Sequence, residues 1–219
     1  MKRKSILIAA VALVAVLFAG AALIYSNSGE RQSEQIASKN NAFLLRAHSP
    51  SIGNAQAPVH IVEFFDPACD TCAMFYPLVK QIMRDNPDRI RLSLRYAPFH
   101  PGSDVVVKML EASRKQGKFW QALESLLANQ SGWVRSHRAY PDMVWPYLAR
   151  AGVDTEMIRN DMQAPEVARV VAQDMQDANA LEVTATPEYF VDGRPLPSFG
   201  REQLVQLVQD ELQRTGKSN

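Results

Sequence analysis

A chain of 219 residues, 47% of them hydrophobic, can bury one ordinary core and reads as a single domain plus whatever its N-terminus does. Its formal net charge of +1, with Lys and Arg scattered among acids, excludes the basic stripe of a nucleic-acid binder. Two cysteines are too few for a disulfide-stapled secreted fold, which uses several at wide spacing.

Lys2, Arg3 and Lys4 precede an apolar run from Ile6 to Tyr25. A helix needs about 20 apolar residues to cross the hydrocarbon core. The basic flank keeps its own end in the cytoplasm and puts the rest of the chain outside. Residues 1–25 therefore read as a signal anchor or transmembrane helix. The competing reading is a cleaved signal peptide with Ala19-Gly20-Ala21 as the small-residue site, against which Leu23, Ile24 and Tyr25 prolong the apolar run. Residues 26–47 read as a polar linker with room for a short helix, since 26–42 are rich in Ser, Asn, Gln and charge.

The domain then runs from 48 to 219. Phe43 to Leu45 is a candidate first strand. Val59 to Phe65 is a stronger one, β-branched and aromatic, ending at Asp66-Pro67. From Cys69 the period changes. Cys72, Phe75, Tyr76, Val79, Ile82 and Met83 share one face of a helix, which Pro77 should kink. Ile90, Leu92 and Leu94 alternate with Arg91, Ser93 and Arg95, as in a strand. Residues 102 to 182 carry helical patterns around Val106–Leu110, Phe119–Leu127, Met143–Leu148 and Val167–Ala178, with no convincing strand. Glu188–Val191, Asp192-Gly193 and Arg194–Leu196 read as a hairpin, and Gln203–Leu212 as a closing helix. The order is β-β-α-β, four or more helices, then β-β-α: an α/β core with a helical insertion.

Cys69-Asp70-Thr71-Cys72 falls where a strand turns into a helix. The first turn of a helix has unpaired N–H groups and a partial positive charge. A sulfur placed there is favoured as thiolate, the nucleophilic form. Cys69 is therefore expected to attack and Cys72, one turn on, to resolve the mixed disulfide. A bridge closing so short a loop adds only about 2 kcal/mol in the chain-entropy model, so chemistry explains the pair better than stapling. Glu63 shares its strand face with Ile61 and Phe65 and should point inward. A buried carboxylate is costly without a task or partner; the plain alternative is an edge position whose side chain reaches water.

Four features together resemble the DsbA-like group of thioredoxin-fold proteins: the strand Val59–Phe65 leading into Cys69-Asp70-Thr71-Cys72, Glu63 six residues before Cys69, the helical insertion, and Thr186-Pro187 before a late hairpin. The resemblance covers roughly residues 48–215. It implies a central mixed β-sheet flanked by helices, with the insertion at about 102–182. It also implies a cis Pro187 beside the sulfurs (the plain reading being an ordinary trans proline), Thr186 offering its backbone to an extended substrate, and Glu63 relaying protons to and from Cys72. The implied activity is dithiol–disulfide exchange with exported proteins in the bacterial periplasm. It needs no organic cofactor, and a membrane partner, either a quinone-linked oxidase or an electron-donating reductase, resets the cysteines. The sequence departs from the most oxidising members, which carry Pro-His between the cysteines. Asp70 puts a negative charge beside Cys69, which is expected to disfavour the thiolate, so Asp70 and Thr71 are the candidate redox-tuning positions and the poise is expected to be moderately oxidising or reducing.

Two other readings compete. Cys69 and Cys72 are soft ligands for a copper-handling or other metal-binding envelope protein, although His48, His60, His100 and His137 show no ligand spacing and a closed zinc site wants four ligands. Only His100, which follows the strand ending at Ala97, is a candidate neighbour of the cysteines, and a lone His next to Pro101 is more often just a turn residue. A non-catalytic binding module using Trp120, Trp133, Trp145 and Tyr147 leaves the placement of the cysteines unexplained; aromatics at helical spacing are more often core.

Overall fold

The computed structural model describes residues 31–216 together with Leu13, Phe18 and Gly29. The proposed anchor over residues 1–25 lies outside the described residues except for Leu13 and Phe18, both exposed. Among the described residues no helix is long and apolar enough to cross a membrane.

Five strands form one mixed sheet in the order β1 (Ser51–Gly53), β3 (Ile90–Tyr96), β2 (Val59–Phe65), β6 (Glu188–Val191), β7 (Arg194–Pro195). β2 and β3 are parallel; the other pairings are antiparallel. A parallel central pair is covered on both faces, which is why β3 does not follow its sequence pattern. Its alternation suggests polar residues turned to water, yet Ser93 and Arg95 are both buried.

The two sheet faces build two core layers. Ile61, Phe65, Leu92, Leu94 and Tyr96 pack with α2 (Asp70–Asp85), α8 (Arg201–Gly216) and the inserted segment. Val62, Phe64 and Phe190 pack on the other face with Leu44, Ala178 and Val183. Between β3 and β6 the chain runs through α3 (Ser103–Ser113), α4 (Phe119–Ala128), α5 (Trp145–Arg150), α6 (Thr155–Asp161) and α7 (Pro165–Ala180). It also holds a small hairpin, β4 (Val134–Arg135) and β5 (Arg138–Ala139), where the sequence suggests no strand. Strands of two residues are too short to carry a period. Pro77 lies within α2, which continues as one helix to Asp85.

The polar segment before the domain also differs from the spacer reading. Residues 31–44 form a helix, α1, and Ala37 and Leu44 are buried. Phe43 and Leu44, the expected start of a strand, are its last turn. The reason is Arg95, whose Nη1 donates to the carbonyls of Phe43 and Leu44 at 2.7 and 3.1 Å, satisfying acceptors that a helix end leaves unpaired. Arg95 also reaches Asp174 at 2.7 Å and Asp177 at 2.5 Å on α7. At its other side α1 meets the β6–β7 turn. Asn40 Nδ2 donates to Gly193 O at 2.9 Å. Gly193, at φ 84°, is needed there because a Cβ would come within 2.4 Å of Ala37 O.

Candidate functional site: a dithiol at a helix N-terminus

β2 ends at Phe65, and Asp66 organises the turn that follows. Its buried carboxylate accepts from Ala68 N (2.8 Å), His100 N (2.8 Å), His100 Nδ1 (2.7 Å) and Ser103 Oγ (3.0 Å). Gln130, from the inserted segment, donates to Pro67 O at 2.8 Å and Cys69 O at 3.0 Å. The loop that presents the cysteines is thus held from both sides, and Cys69 becomes the N-cap of α2, accepting at Sγ from Cys72 N at 3.4 Å.

Both cysteines are thiols, and their surroundings differ. Hydrogen bonding from Cys72, with the backbone N–H groups of Cys72 and Thr71, pulls the Cys69 thiol down to about 5, against the opposing effect of burial. Burial pushes Cys72 well above the ordinary thiol range, and its bond to Cys69 and the nearby Glu63 add to this. Cys69 opens on a cavity of about 410 Å³, whereas Cys72 faces the core. This asymmetry makes Cys69 the sulfur suited to nucleophilic attack and Cys72 the shielded partner. Asp70, the candidate redox-tuning position, is exposed, so water screens its charge in part, while the hydrogen bonds act directly on the Cys69 sulfur. Thr71 lines the cavity and contributes a backbone N–H.

Glu63 is buried on the sheet face that carries Ile61 and Phe65, behind the cysteines. Burial raises its carboxyl to about 8; the Tyr189 phenol works against this and Cys69 adds to it. A carboxyl ionising near neutral pH beside Cys72 can hold or release the proton that the resolving sulfur exchanges. Thr186 closes the site from the far end of the chain. Its carbonyl accepts from Cys69 Sγ at 3.1 Å, and the Thr186–Pro187 peptide is cis. Glu63, Cys69, Cys72, Thr186 and Pro187 therefore gather at one end of the sheet.

Sequence reasoning passed over Asp66, Gln130 and Tyr189. Only Asp66 left a signal, an acidic residue directly after the strand that leads into the cysteines. His100 does lie by the cysteines, lining the Cys69 cavity with Phe99 and His137. His48 and His60 are elsewhere, bonded to Asp174 and Ser93. Among the described residues no group of three or more His, Cys, Asp or Glu side chains is arranged to hold a metal ion. Trp133 is fully buried and bonds Leu126 O at 3.0 Å, a core role.

A mixed sheet flanked by helices, with an activated thiol at a helix N-terminus and a buried partner behind it, defines a thioredoxin-fold dithiol centre. A family model described as thioredoxin matches residues 46–210. The Na(+)/H(+) antiporter NhaA of Herminiimonas arsenicoxydans is 31% identical over 144 residues, which is 66% of this chain but only 22% of that protein. The crystal structure of a thioredoxin-like oxidoreductase from Silicibacter pomeroyi superposes with a TM-score of 0.68 at 31% identity, covering 81% of this chain and 97% of that one. BdbD from Bacillus subtilis, in its oxidised form, gives 0.67 at 21% identity, covering 76% and 94%. The chain belongs to the thioredoxin family.

Proposed function

We propose that this protein exchanges disulfides with exported proteins through Cys69 and Cys72. The observation that carries the reading is the split between the two sulfurs: Cys69 drawn down to about 5 beside an open cavity, Cys72 raised and buried. In the oxidising direction a substrate thiolate attacks Cys69 Sγ and breaks the Cys69–Cys72 bond. Cys72 leaves and takes a proton by way of Glu63. A second substrate thiolate then attacks the substrate sulfur of the mixed disulfide, releasing oxidised substrate and the Cys69 thiolate. In the reducing direction every step reverses. The stabilised Cys69 thiolate favours the dithiol state and hence an oxidising poise.

The Thr186 backbone, half-buried beside Cys69 at the cavity wall, is suited to dock an extended substrate segment through main-chain hydrogen bonds. The basic flank and apolar run of residues 2–25 support a catalytic domain on the periplasmic side, held to the inner membrane or released there if cleaved. A membrane redox partner then resets the pair, re-oxidising it if the protein donates disulfides. Trapping tests the assignment. In Cys72→Ala a mixed disulfide between Cys69 and exported proteins should accumulate in cells. In Cys69→Ala none should form; adducts of equal abundance in both variants would contradict it.

A further inference from the structure

Exchange moves a proton at two sulfurs, and Glu63 serves only Cys72, the one buried in the core. The substrate sulfur arrives or departs on the opposite side, in the cavity where Cys69 opens. The wall of that cavity carries His100 and His137. We propose that His100 is the proton-transfer group for the substrate sulfur and that Asp66 is its positioning residue.

The geometry of His100 is built rather than incidental. Asp66 Oδ2 lies 2.7 Å from Nδ1. An ionised carboxylate only accepts, so Nδ1 carries a hydrogen and the neutral ring keeps its lone pair on Nε2. Asp66 also accepts the His100 backbone N–H, so the ring and its own backbone are fixed to one carboxylate. His137 stacks on the ring, with centroids 6.1 Å apart and planes 28° from parallel.

His137 is presented at a cost. It and Ser136 form the two-residue turn of the β4–β5 hairpin, both in the left-handed region at φ 59° and 50°, where Asn-Gly is the favoured choice. The hairpin is fastened to the His100 loop through Ala139 N, which donates to Pro101 O at 2.9 Å. Next to it Gly102, at φ 83°, has room for no Cβ, which would lie 2.6 Å from Ala139 O.

The step balances in both directions. When the Cys69 thiolate attacks a substrate disulfide, the Cys69–S bond forms, the substrate S–S bond breaks, and the departing thiolate takes a proton from protonated His100. When a substrate thiol attacks the oxidised pair, neutral His100 takes the thiol proton at Nε2 as the substrate–Cys69 bond forms, the Cys69–Cys72 bond breaks, and Cys72 leaves as the thiolate that Glu63 protonates. Histidine is the side chain suited to do both near neutral pH.

This inference rests on the exchange reaction proposed above, and the test separates the two. His100→Asn keeps an N–H placed for Asp66 and removes the second ring nitrogen. Reduced full-length protein is mixed with oxidised glutathione, whose thiolate is a poor leaving group, and with an aromatic nitrobenzoate disulfide, whose thiolate leaves readily. The glutathione rate should fall roughly tenfold, less than general acid catalysis usually gives because a thiolate leaves fairly well unaided, while the aromatic rate stays within about twofold. Equal falls, or no fall with either probe, overturn the inference and leave the exchange reading standing. A wild-type protein that reacts with neither probe overturns the exchange reading itself. If His100→Asn lowers the thermal midpoint, the same two rates are read on His100→Gln against the same criteria.

Discussion

Glu63 and Tyr189 stand directly opposite each other across the β2–β6 ladder, and neither Glu63 Oε2 nor the Tyr189 hydroxyl makes a hydrogen bond of ordinary geometry. Two buried polar ends that partner each other so weakly cost stability. Their place behind Cys72 gives the cost a purpose: a carboxyl left short of stabilising donors stays protonated up to about 8 and ionises on demand.

The sign of this effect is testable. The folded-state pKa of Glu63 lies above its unfolded value, so the native state binds the extra proton between about pH 4.5 and 8. Stability falls as pH rises through that window. Glu63→Gln removes the ionisation and should stabilise the domain by a few kcal/mol at pH 8 and by little at pH 4, while slowing resolution by Cys72. Urea unfolding at the two pH values checks the first effect and decay of the mixed disulfide the second.

The Cys69 environment predicts the redox poise. Thioredoxin's attacking thiol titrates near 7 and its pair poises near −270 mV. A thiol at about 5 favours the dithiol by roughly 2 kcal/mol more at pH 7, or ~50 mV. A potential of about −220 mV or higher is expected against glutathione buffers, and Asp70→His should raise it a little further by exchanging a partly screened anion for a cation near the sulfur.

Arg95 is the buried tie between α1, β3 and α7, with both Asp174 and Asp177 on its guanidinium. Arg95→Met leaves two buried carboxylates with Arg46 and His48 as their remaining charged or polarisable partners. The expected loss is about 3–5 kcal/mol in urea unfolding. Replacing it should leave the Cys69 titration in place, because the cluster lies on the opposite sheet face.

Helix α1 lies wholly before the family match yet packs on the sheet. A fragment beginning at residue 46 loses the burial of Leu44 and the bond from Asn40 to Gly193. It should be less stable than one beginning at residue 30 by about 2 kcal/mol or more, read as a lower thermal midpoint.

What the sequence made legible follows from contact range. β2, α2 and β3 carry their own periods, and the inward face of Glu63 follows from strand alternation with Ile61 and Phe65. The Asp192-Gly193 turn announces β6 and β7. What stayed hidden depends on distant partners. The tie of Asp66 to His100, the hold of Gln130 on the cysteine loop, and the burial of Arg95 by Asp174 and Asp177 join residues far apart in the chain. α1 was masked in another way: its polar composition suits a linker, and only the packing of Ala37 and Leu44 and the reach of Arg95 make it part of the domain.

The central claim is that Cys69 is a thiolate at neutral pH while Cys72 is not. Titrating the ultraviolet thiolate absorbance of the reduced protein, with Cys72→Ala as the control, tests it directly. In the wild type one sulfur should ionise near 5 and the second only at strongly alkaline pH; Cys72→Ala should lose the alkaline step, and its single transition should move upward because the hydrogen bond from Cys72 is gone. A first wild-type transition between pH 8 and 9, the range of a free cysteine, would contradict the account.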